Sequence, residues 1–272
     1  MSYRGRVVVI TGASKGLGRA MAHGYADAGA DVVVSSRKVD SCEEVATAIR
    51  SNGGRALAVG CHVGDWDACA ALVDTAVAEF GRIDVLVNNA GIAPVPPSLT
   101  GITEDLFEKT VAVNLKGPLR LMGLASEHMA PGSAIVNISS KASLRPSPFT
   151  IVYAAAKAGL NAITKAASQE LGSQGIRVNA IVCGPFHSDS FDRSVPDEDA
   201  AAAVARTMSL GRIASPDEIV GTALFLGSSA PRWVPRSRTS PSATAPSVTA
   251  SRWPRPQRRC ASSVSDARSA RS

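Results

Sequence analysis

Short runs of β-branched residues alternate with amphipathic stretches over about the first 230 residues, and this alternation constrains the fold more than any other feature. Several runs are apolar at every position, as expected of parallel strands that helices cover on both faces. The alternation therefore predicts an α/β fold with one doubly wound parallel sheet. The predicted strands are Val7–Ile10, Val32–Ser35, Ala56–Gly60, Val85–Asn88, Ala134–Ile138 and Val178–Val182.

Helical periodicity fills the intervals between the strands. A further helix start is marked by Ser215-Pro216-Asp217-Glu218, which combines a Ser cap, an early Pro and a Glu three residues after the cap. The stretch 186–210 has weak strand character and an Ala-rich helical piece, which indicates an insertion above the sheet. The predicted helices lie near residues 17–28, 41–52, 67–80, 104–130 and 151–173.

Charge and composition change at about residue 230. Residues 231–272 contain nine Arg, no Lys and one Asp, so this tail carries a charge of +8 and residues 1–230 carry −2. The tail consists mainly of Arg, Ser, Pro and Ala without periodicity, which predicts disorder after a folded domain of residues 1–230. Binding of nucleic acid through the tail is the weaker alternative, and no nucleic-acid partner is predicted for the folded part.

Other features of the sequence exclude several classes of protein. No apolar run approaches the roughly 20 residues that a membrane span needs, and the residues before the glycine-rich loop do not form a secretory signal. The five cysteines have no CxxC or Cys/His metal spacing. We therefore expect reduced thiols in a cytoplasmic protein with no metal site and no membrane partner.

A glycine-rich loop, Thr11-Gly12-Ala13-Ser14-Lys15-Gly16-Leu17-Gly18, joins the first strand to the first helix. Its glycines let the backbone turn tightly and approach a pyrophosphate without Cβ collisions. The amino terminus of the helix then offers free N–H groups and a positive dipole end to the anion. The loop therefore predicts a dinucleotide site.

The loop resembles the TGxxxGxG loop of the short-chain dehydrogenase/reductase family, and the resemblance extends from residue 4 to about residue 229. It implies a Rossmann-type sheet and a homotetramer or dimer. It also implies hydride transfer between NAD(P)(H) and a small carbonyl or alcohol, as in 3-oxoacyl-ACP reductases and glucose or gluconate dehydrogenases. The further matching motifs are Asn88-Asn89-Ala90-Gly91, Val113-Asn114-Leu115, Ser139-Ser140, Tyr153-x-x-x-Lys157 and Arg177-Val178-Asn179.

The end of the second strand bears on which dinucleotide binds. The strand runs into Ser36, Arg37 and Lys38, with no acidic side chain before Asp40. An acid there would accept a hydrogen bond from the adenosine 2′-hydroxyl, whereas a hydroxyl and a guanidinium suit a 2′-phosphate. We predict NADP(H) as the preferred cofactor and NAD(H) as the alternative. Solvated surface charges would also explain Arg37 and Lys38.

The resemblance implies a larger set of cofactor-binding residues. His62 stands where the family usually has an Asp or Asn that contacts the adenine, so adenine recognition departs from the family at this position. The predicted cofactor-binding residues are Gly12, Ser14, Lys15, Gly16, Leu17, Gly18, Ser36, Arg37, His62, Val63, Asn89, Ala90, Gly91, Tyr153, Lys157, Gly184, Pro185 and Ser188.

Tyr153 and Lys157 are four residues apart, so on a helix they share one face. The ammonium is expected to lower the pKa of the phenol from about 10 toward neutrality, as a general acid or base needs. Ser140 follows a strand, and strand ends in open α/β sheets face the ligand crevice. The resemblance implies that Tyr153 moves the proton, that Lys157 binds the nicotinamide ribose, that Ser140 orients the carbonyl and that Asn114 holds a water by distorting its helix.

The segment after the sixth strand departs from the family. Cys183 replaces the usual Pro, and Ser188 stands where a Thr hydrogen-bonds the carboxamide. We expect Cys183 to be a small apolar substitute rather than a nucleophile. Phe186, His187 and residues 189–208 are expected to form a lid over the substrate, whose identity the sequence leaves open.

The last strand of the family, typically V-T-G-x-x-x-x-V-D-G-G, does not appear in the sequence. Ser228-Ser229-Ala230 is followed instead by Pro231-Arg232-Trp233 and the Arg-rich tail. We interpret the tail as the product of a frameshift near codon 230, with the last strand missing or replaced, and the resemblance implies that loss of this strand weakens the homotetramer or dimer. The alternative function is accordingly a dinucleotide-binding protein whose catalysis is impaired or lost.

Overall fold

A computed structural model describes residues 1–188, 191, 195 and 197–229 of the chain. The tail of residues 231–272, for which disorder and an origin by frameshift are predicted, lies outside the described residues. Much of the predicted lid is described, and it includes a short helix.

Parallel strands form a six-stranded sheet in the described part of the chain, with the order β3-β2-β1-β4-β5-β6. The order reverses between β1 and β4, and such reversals create the ligand crevice of doubly wound sheets. The predicted fold class is confirmed. The strands are β1 Val7–Thr11, β2 Asp31–Ser36, β3 Arg55–Gly60, β4 Val85–Asn88, β5 Ala134–Ser140 and β6 Arg177–Cys183.

Helices connect the strands and continue beyond β6. The start predicted at Ser215 is confirmed, because Ser215 and Glu218 form a reciprocal capping box. It opens a 3₁₀ turn at Pro216–Ile219 that leads into the last described helix. The helices are α1 Gly16–Asp27, α2 Val39–Ser51, α3 Trp66–Phe80, α4 Glu104–Val111, α5 Gly117–Ser126, α6 Ile151–Glu170, α7 Glu198–Arg206 and α8 Val220–Gly227.

Two apolar layers enclose the sheet. Along β1, Val8 and Ile10 pack toward α1, α2 and α8, whereas Val9 packs toward α3 and α5. All three side chains are fully buried, and each such burial stabilises the fold by about 1.5–3 kcal/mol. Helices on both faces leave the carboxyl edge of the sheet as the place where polar side chains gather.

Side chains from distant parts of the sequence hold the carboxyl end of α8. The Tyr25 hydroxyl donates to the Ala223 carbonyl (2.7 Å), and the Tyr3 hydroxyl donates to the Leu224 carbonyl (2.5 Å). Arg177 of β6 donates to two further carbonyls at this end, at 2.6 and 2.5 Å. These contacts satisfy acceptors that the end of a helix leaves without intrahelical partners.

Candidate active site

The glycine-rich loop has the backbone geometry that a bound pyrophosphate needs. Gly12 and Gly16 adopt positive φ angles of 66° and 54°, a region that other L-residues rarely occupy. A Cβ on Gly18 would lie 2.2 Å from the Gly12 carbonyl oxygen. Side chains are therefore excluded at the close approaches, and the loop fits a dinucleotide phosphate at the start of α1.

A second segment braces this loop. The Asn89 side-chain amide donates to the carbonyls of Thr11 (2.9 Å) and Gly12 (3.1 Å). In return, the Thr11 hydroxyl accepts from the backbone N–H groups of Asn89 and Ala90, each at 3.1 Å. The ends of β1 and β4 are thereby fixed beside each other. The brace depends on Thr11, a residue of the quoted motif to which the sequence analysis assigned no role.

The adenosine end of the predicted site is more open. Ser36 ends β2, and the Cys42 thiol lies 3.1 Å from its hydroxyl oxygen. Arg37 is exposed directly after the strand. His62 is exposed as well, and its Nδ1 accepts from the Gly64 N–H at 3.2 Å, while Val63 is buried. The residues predicted to recognise the adenosine thus lie after neighbouring strand ends.

The predicted catalytic side chains meet at the ends of β5 and α6. Ser140 is the last residue of β5; its hydroxyl oxygen accepts from the Ala142 N–H at 3.2 Å, and its side chain lowers the pKa of Tyr153. Lys157 is 3% exposed, and its Nζ donates to the Ile138 carbonyl at 2.8 Å. The same Nζ lies 5.8 Å from the centre of the Tyr153 ring. Ser139, in contrast, is fully enclosed and makes no side-chain hydrogen bond.

The pKa values differ in one respect from the sequence prediction. Burial raises the pKa of Tyr153, although the hydrogen bond with Ser140 lowers it in part. The prediction that Lys157 brings this pKa toward neutrality is therefore wrong for the chain by itself. Burial also lowers the pKa of Lys157 to about 8. Desolvation is the largest cause of both shifts, and the Lys157 ammonium donates to the Ile138 carbonyl rather than to the phenol.

Asn114 lies in a π-helical turn, Ala112–Lys116, between α4 and α5. Its side-chain amide donates to the carbonyls of Ile92 (2.8 Å) and Thr110 (2.9 Å). A Cβ on Gly91 would lie 3.0 Å from Asn114 Oδ1 and 3.7 Å from Lys157 Nζ. Asn114 and Lys157 therefore flank Gly91, and the glycine leaves the space between them open.

The segment after β6 turns back over the phosphate loop. A Cβ on Gly16 would lie 3.5 Å from the Cβ of Ser188. The turn is held by backbone hydrogen bonds from His187 N–H to the Ala214 carbonyl (2.9 Å) and from Ala214 N–H to the Pro185 carbonyl (3.3 Å). This path carries Gly184, Pro185 and Ser188 from the catalytic end of the crevice to the loop at α1.

Comparison with known proteins identifies the family to which this arrangement belongs. The sequence profile described as short chain dehydrogenase matches residues 6–199. The chain belongs to the short-chain dehydrogenase/reductase family. It is therefore an NAD(P)-dependent oxidoreductase that acts on CH–OH or C=O groups.

Several members of the short-chain dehydrogenase/reductase family are similar over most of their length. The L-rhamnose 1-dehydrogenase (NAD(P)(+)) of Azotobacter vinelandii is 36% identical over 236 residues, which cover 84% of this chain and 92% of that protein. The galactitol 2-dehydrogenase of Agrobacterium fabrum is 35% identical over 240 residues, with the same coverage of 84% and 92%. A short chain dehydrogenase from Burkholderia cenocepacia in complex with NADP superposes with a TM-score of 0.79. It is 31% identical, and the match covers 85% of this chain and 94% of that one.

Cys183 departs from the usual short-chain dehydrogenase/reductase pattern within the site itself. It ends β6 directly beside Ser140 in the strand register. Its side chain is almost fully buried, and this burial raises the pKa of the thiol to about 11. The environment therefore favours the protonated thiol, which is a poor nucleophile.

Sequence reasoning missed a buried polar network beneath this short-chain dehydrogenase/reductase site. The Asn88 amide donates to Asn137 Oδ1 at 2.8 Å, and the Asn137 amide donates to the Thr164 hydroxyl at 2.9 Å. The three side chains link β4, β5 and α6, the elements that carry Ser140 and Tyr153. The available signal was an Asn within each of two otherwise apolar strands.

Among the described residues, no group of three or more His, Cys, Asp or Glu side chains could hold a metal ion. The helices of the described part also include none with the length and apolar character needed to cross a bilayer. A cavity of about 430 Å³ lies near Arg4, Asp31 and Arg55, which precede or begin β1, β2 and β3. It is at the amino-terminal edge of the sheet, opposite the catalytic side chains.

Proposed function

We propose that the chain transfers hydride between NADP(H) and the carbonyl or alcohol of a small molecule. The observation that carries this proposal is the convergence of Ser140, Tyr153 and the buried Lys157 at the carboxyl edge of the sheet, where Lys157 Nζ lies 5.8 Å from the centre of the Tyr153 ring. Two hydroxyl groups in this arrangement can both donate to one carbonyl oxygen. They can thus stabilise the negative charge that develops on that oxygen during reduction.

The proton moves through Tyr153. In reduction, the phenol protonates the substrate oxygen while Ser140 orients it, and in oxidation the phenolate form of Tyr153 removes the proton of the alcohol. A bound nicotinamide supplies or accepts the hydride. Because burial raises the pKa of Tyr153, the phenol is held in the protonated form that reduction requires.

Lys157 and Asn114 are assigned supporting roles in the proton transfer through Tyr153. Lys157 binds the nicotinamide ribose, and its pKa of about 8 allows it to exchange a proton at cellular pH. Asn114 Oδ1, which accepts from the Ile92 N–H at 3.3 Å, and Lys157 Nζ both lie close to Gly91. We assign to Asn114 the holding of a water that returns the proton from solvent to Lys157 and Tyr153.

The preference for NADP(H) rests on Ser36, Arg37 and Lys15. Ser36 presents a hydroxyl at the end of β2, and the exposed Arg37 can hold a 2′-phosphate through two parallel hydrogen bonds. Lys15 precedes Gly16 at the start of α1, and we assign it as a second basic contact to the same phosphate. NAD(H) remains the alternative cofactor.

The test is the oxidation of NADPH by the purified 272-residue chain against a panel of ketones, aldehydes and sugars, with Tyr153→Phe as the matched control. We expect turnover of at least one carbonyl by the natural chain and a loss of about 100- to 10,000-fold in the variant. Equal rates in the two proteins would remove Tyr153 from the mechanism.

An outcome in which NADPH binds but no substrate turns over favours the second reading, a dinucleotide-binding protein with impaired catalysis. The same assay on a version with the family's last strand restored distinguishes two explanations for missing turnover: a panel that lacks the substrate, and a fold in which loss of the last strand impairs catalysis. We further propose a homotetramer or dimer in the cytosol, by analogy with the family. Light scattering of the purified chain tests the assembly.

A further inference from the structure

Helix α6 bears a third polar side chain beyond Tyr153 and Lys157. Asn161 lies one turn after Lys157, which itself lies one turn after Tyr153, so each successive pair shares a helix face. The Asn161 side-chain amide leaves the helix and donates to the Ser143 hydroxyl oxygen at 2.8 Å. The carbonyl oxygen of the same amide is buried and has no hydrogen-bond partner in the described part of the chain. The Asn161 side chain therefore acts as a donor to Ser143.

Ser143 connects this donor to the residue that ends β5. It belongs to the 3₁₀ turn Lys141–Ser143, which follows Ser140 directly. The Ser143 hydroxyl donates to the Ser140 carbonyl at 2.6 Å. A hydroxyl has one proton and a carbonyl can only accept, so this proton is committed to Ser140 and the other partner of Ser143 must be a donor. The Asn161 amide is that donor.

The same turn sets the hydrogen bonding of the Ser140 hydroxyl. Its oxygen accepts from the Ala142 N–H at 3.2 Å, within the turn that Ser143 closes. This contact uses a lone pair of the oxygen and leaves the single proton of the hydroxyl for another acceptor. The proposed function needs this proton, because Ser140 must donate to the oxygen of the substrate.

Apolar packing contributes little to holding this turn. None of residues 141–145 is buried, and the Leu144 side chain is 68% exposed. The hydrogen bond from Asn161 instead joins the turn to α6. Because α6 also carries Tyr153, the position of Ser140 relative to the phenol is set through one helix.

We propose that Asn161 and Ser143 are positioning residues for Ser140. They hold the turn after β5 in the conformation in which the Ser140 hydroxyl accepts from Ala142 and offers its proton to the substrate oxygen beside Tyr153. The effect on turnover rests on the proposed function. Because the hydrogen bonds of Asn161 and Ser143 lie within the turn and α6, we expect the two residues to affect kcat and to leave the binding of NADPH unchanged.

The effect on turnover is tested with NADPH and a carbonyl compound that the natural chain reduces. Asn161→Leu keeps a side chain of similar size but removes the donor, and Ser143→Ala removes the hydroxyl. We expect each to lower kcat about three- to tenfold, as for the loss of one uncharged hydrogen bond, with an unchanged Kd of NADPH. Ser143→Thr, which keeps the hydroxyl, should retain most of the activity. Ser168→Ala is the matched control, because the Ser168 hydroxyl makes a similar bond, to the Lys165 carbonyl at 2.8 Å, two turns beyond Asn161.

Combination with Ser140→Ala separates positioning from a general effect on the fold. If Asn161 acts through Ser140, adding Asn161→Leu to Ser140→Ala should change kcat by less than about twofold. A further loss of about three- to tenfold in that background overturns the proposal. Equal kcat values in the natural chain, Asn161→Leu and Ser143→Ala overturn it as well.

Hydrogen exchange of the full chain, measured by mass spectrometry, tests the turn without a substrate. The N–H groups of Leu144 and Arg145 both donate to the Lys141 carbonyl, at 3.0 and 2.9 Å. We expect Asn161→Leu and Ser143→Ala to speed exchange over residues 141–145 and to leave exchange in the phosphate loop unchanged. Unchanged exchange over 141–145 in both variants overturns the proposal. A natural chain that reduces no carbonyl contradicts the proposed function instead, and the exchange result still decides whether Asn161 and Ser143 hold the turn.

Discussion

The catalytic end and the adenosine end of the crevice are built differently. Ser140, Tyr153 and Lys157 converge at the end of β5, where Lys157 is buried and its ammonium donates to the Ile138 carbonyl, whereas Arg37 and His62 are exposed after their strands. A proton transfer gains from fixed partners in a low-dielectric setting. A 2′-phosphate contact only needs a charge within reach. Substitutions at the catalytic end should therefore abolish function, and those at the adenosine end should retune it.

The strictest test of this comparison is to replace each of the two adjacent serines of β5 by alanine in turn. Ser140→Ala removes the hydroxyl at the end of β5 that is proposed to donate to the substrate carbonyl, and kcat/KM should fall about 100- to 1,000-fold, as when an oxyanion-binding donor is lost. Ser139→Ala is the matched control, because the Ser139 hydroxyl is buried without a partner. Its kcat/KM should stay near that of the natural chain, and a reversed order of the two variants would assign the substrate hydroxyl to Ser139.

The next largest effect is expected between the two ends, in the phosphate loop. Gly18→Ala places a Cβ 2.2 Å from the Gly12 carbonyl oxygen, so the loop must move away from the phosphate. The Kd of NADPH, measured by fluorescence titration, should rise at least about tenfold, or about 1.4 kcal/mol. Gly123→Ala, at a helical position where a Cβ has nothing within 4 Å, should leave the Kd unchanged. A Gly18→Ala protein that binds NADPH normally contradicts the assigned phosphate site.

At the adenosine end, Arg37→Glu should change the choice of cofactor without abolishing turnover. Loss of a charge-assisted hydrogen bond and gain of a like charge should lower kcat/KM for NADPH relative to NADH about tenfold or more. The measurement is the ratio of kcat/KM values with the two cofactors and one substrate. An unchanged ratio would falsify the assignment of Arg37 to the 2′-phosphate.

The smallest effect concerns stability and pH. Burial lowers the pKa of Lys157 to about 8, whereas the unfolded chain holds this proton to about pH 10.4. Between these values the unfolded state binds more protons than the native state, so the contribution of Lys157 to stability rises with pH. It is constant and unfavourable below about pH 8, where both states are protonated.

Urea unfolding of the natural chain and of Lys157→Met reads out this effect. The free energy of unfolding of the natural chain should rise relative to the variant between about pH 8 and pH 10, by at most about 1.4 kcal/mol per pH unit. Parallel pH profiles for the two proteins would show that Lys157 titrates normally.

The strand predictions held because fully apolar β-branched runs leave few other folds. The helix predicted over 104–130 is instead interrupted by a π-helical turn and ends at Ser126. Hydrophobic periodicity does not indicate which backbone carbonyl accepts a hydrogen bond from a side chain. The Asn114 amide bonds the Thr110 carbonyl, the acceptor that its own backbone N–H would use in an α-helix, and so favours the wider turn.

The candidate site, like the fold, could be predicted from the sequence only in part. Motif spacing places Ser140, Tyr153 and Lys157 at one crevice, because strand ends and helix faces follow from local sequence. The raised pKa of Tyr153 could not be read from a four-residue interval. It depends on how much of the fold covers the phenol and on the direction in which Lys157 points, both of which are set by tertiary packing.

The contacts at the end of α8 bear on how the chain matures during synthesis. Tyr3 and Tyr25 leave the ribosome first, yet their hydroxyl groups bond to carbonyls 221 and 198 residues later in the chain. Because each partner is absent until nearly the whole domain has been made, the first βα unit cannot reach its final packing early in translation. Contacts between such distant residues slow folding. Until α8 has been synthesised, the surface of the first βα unit that it later covers is exposed to association with other chains.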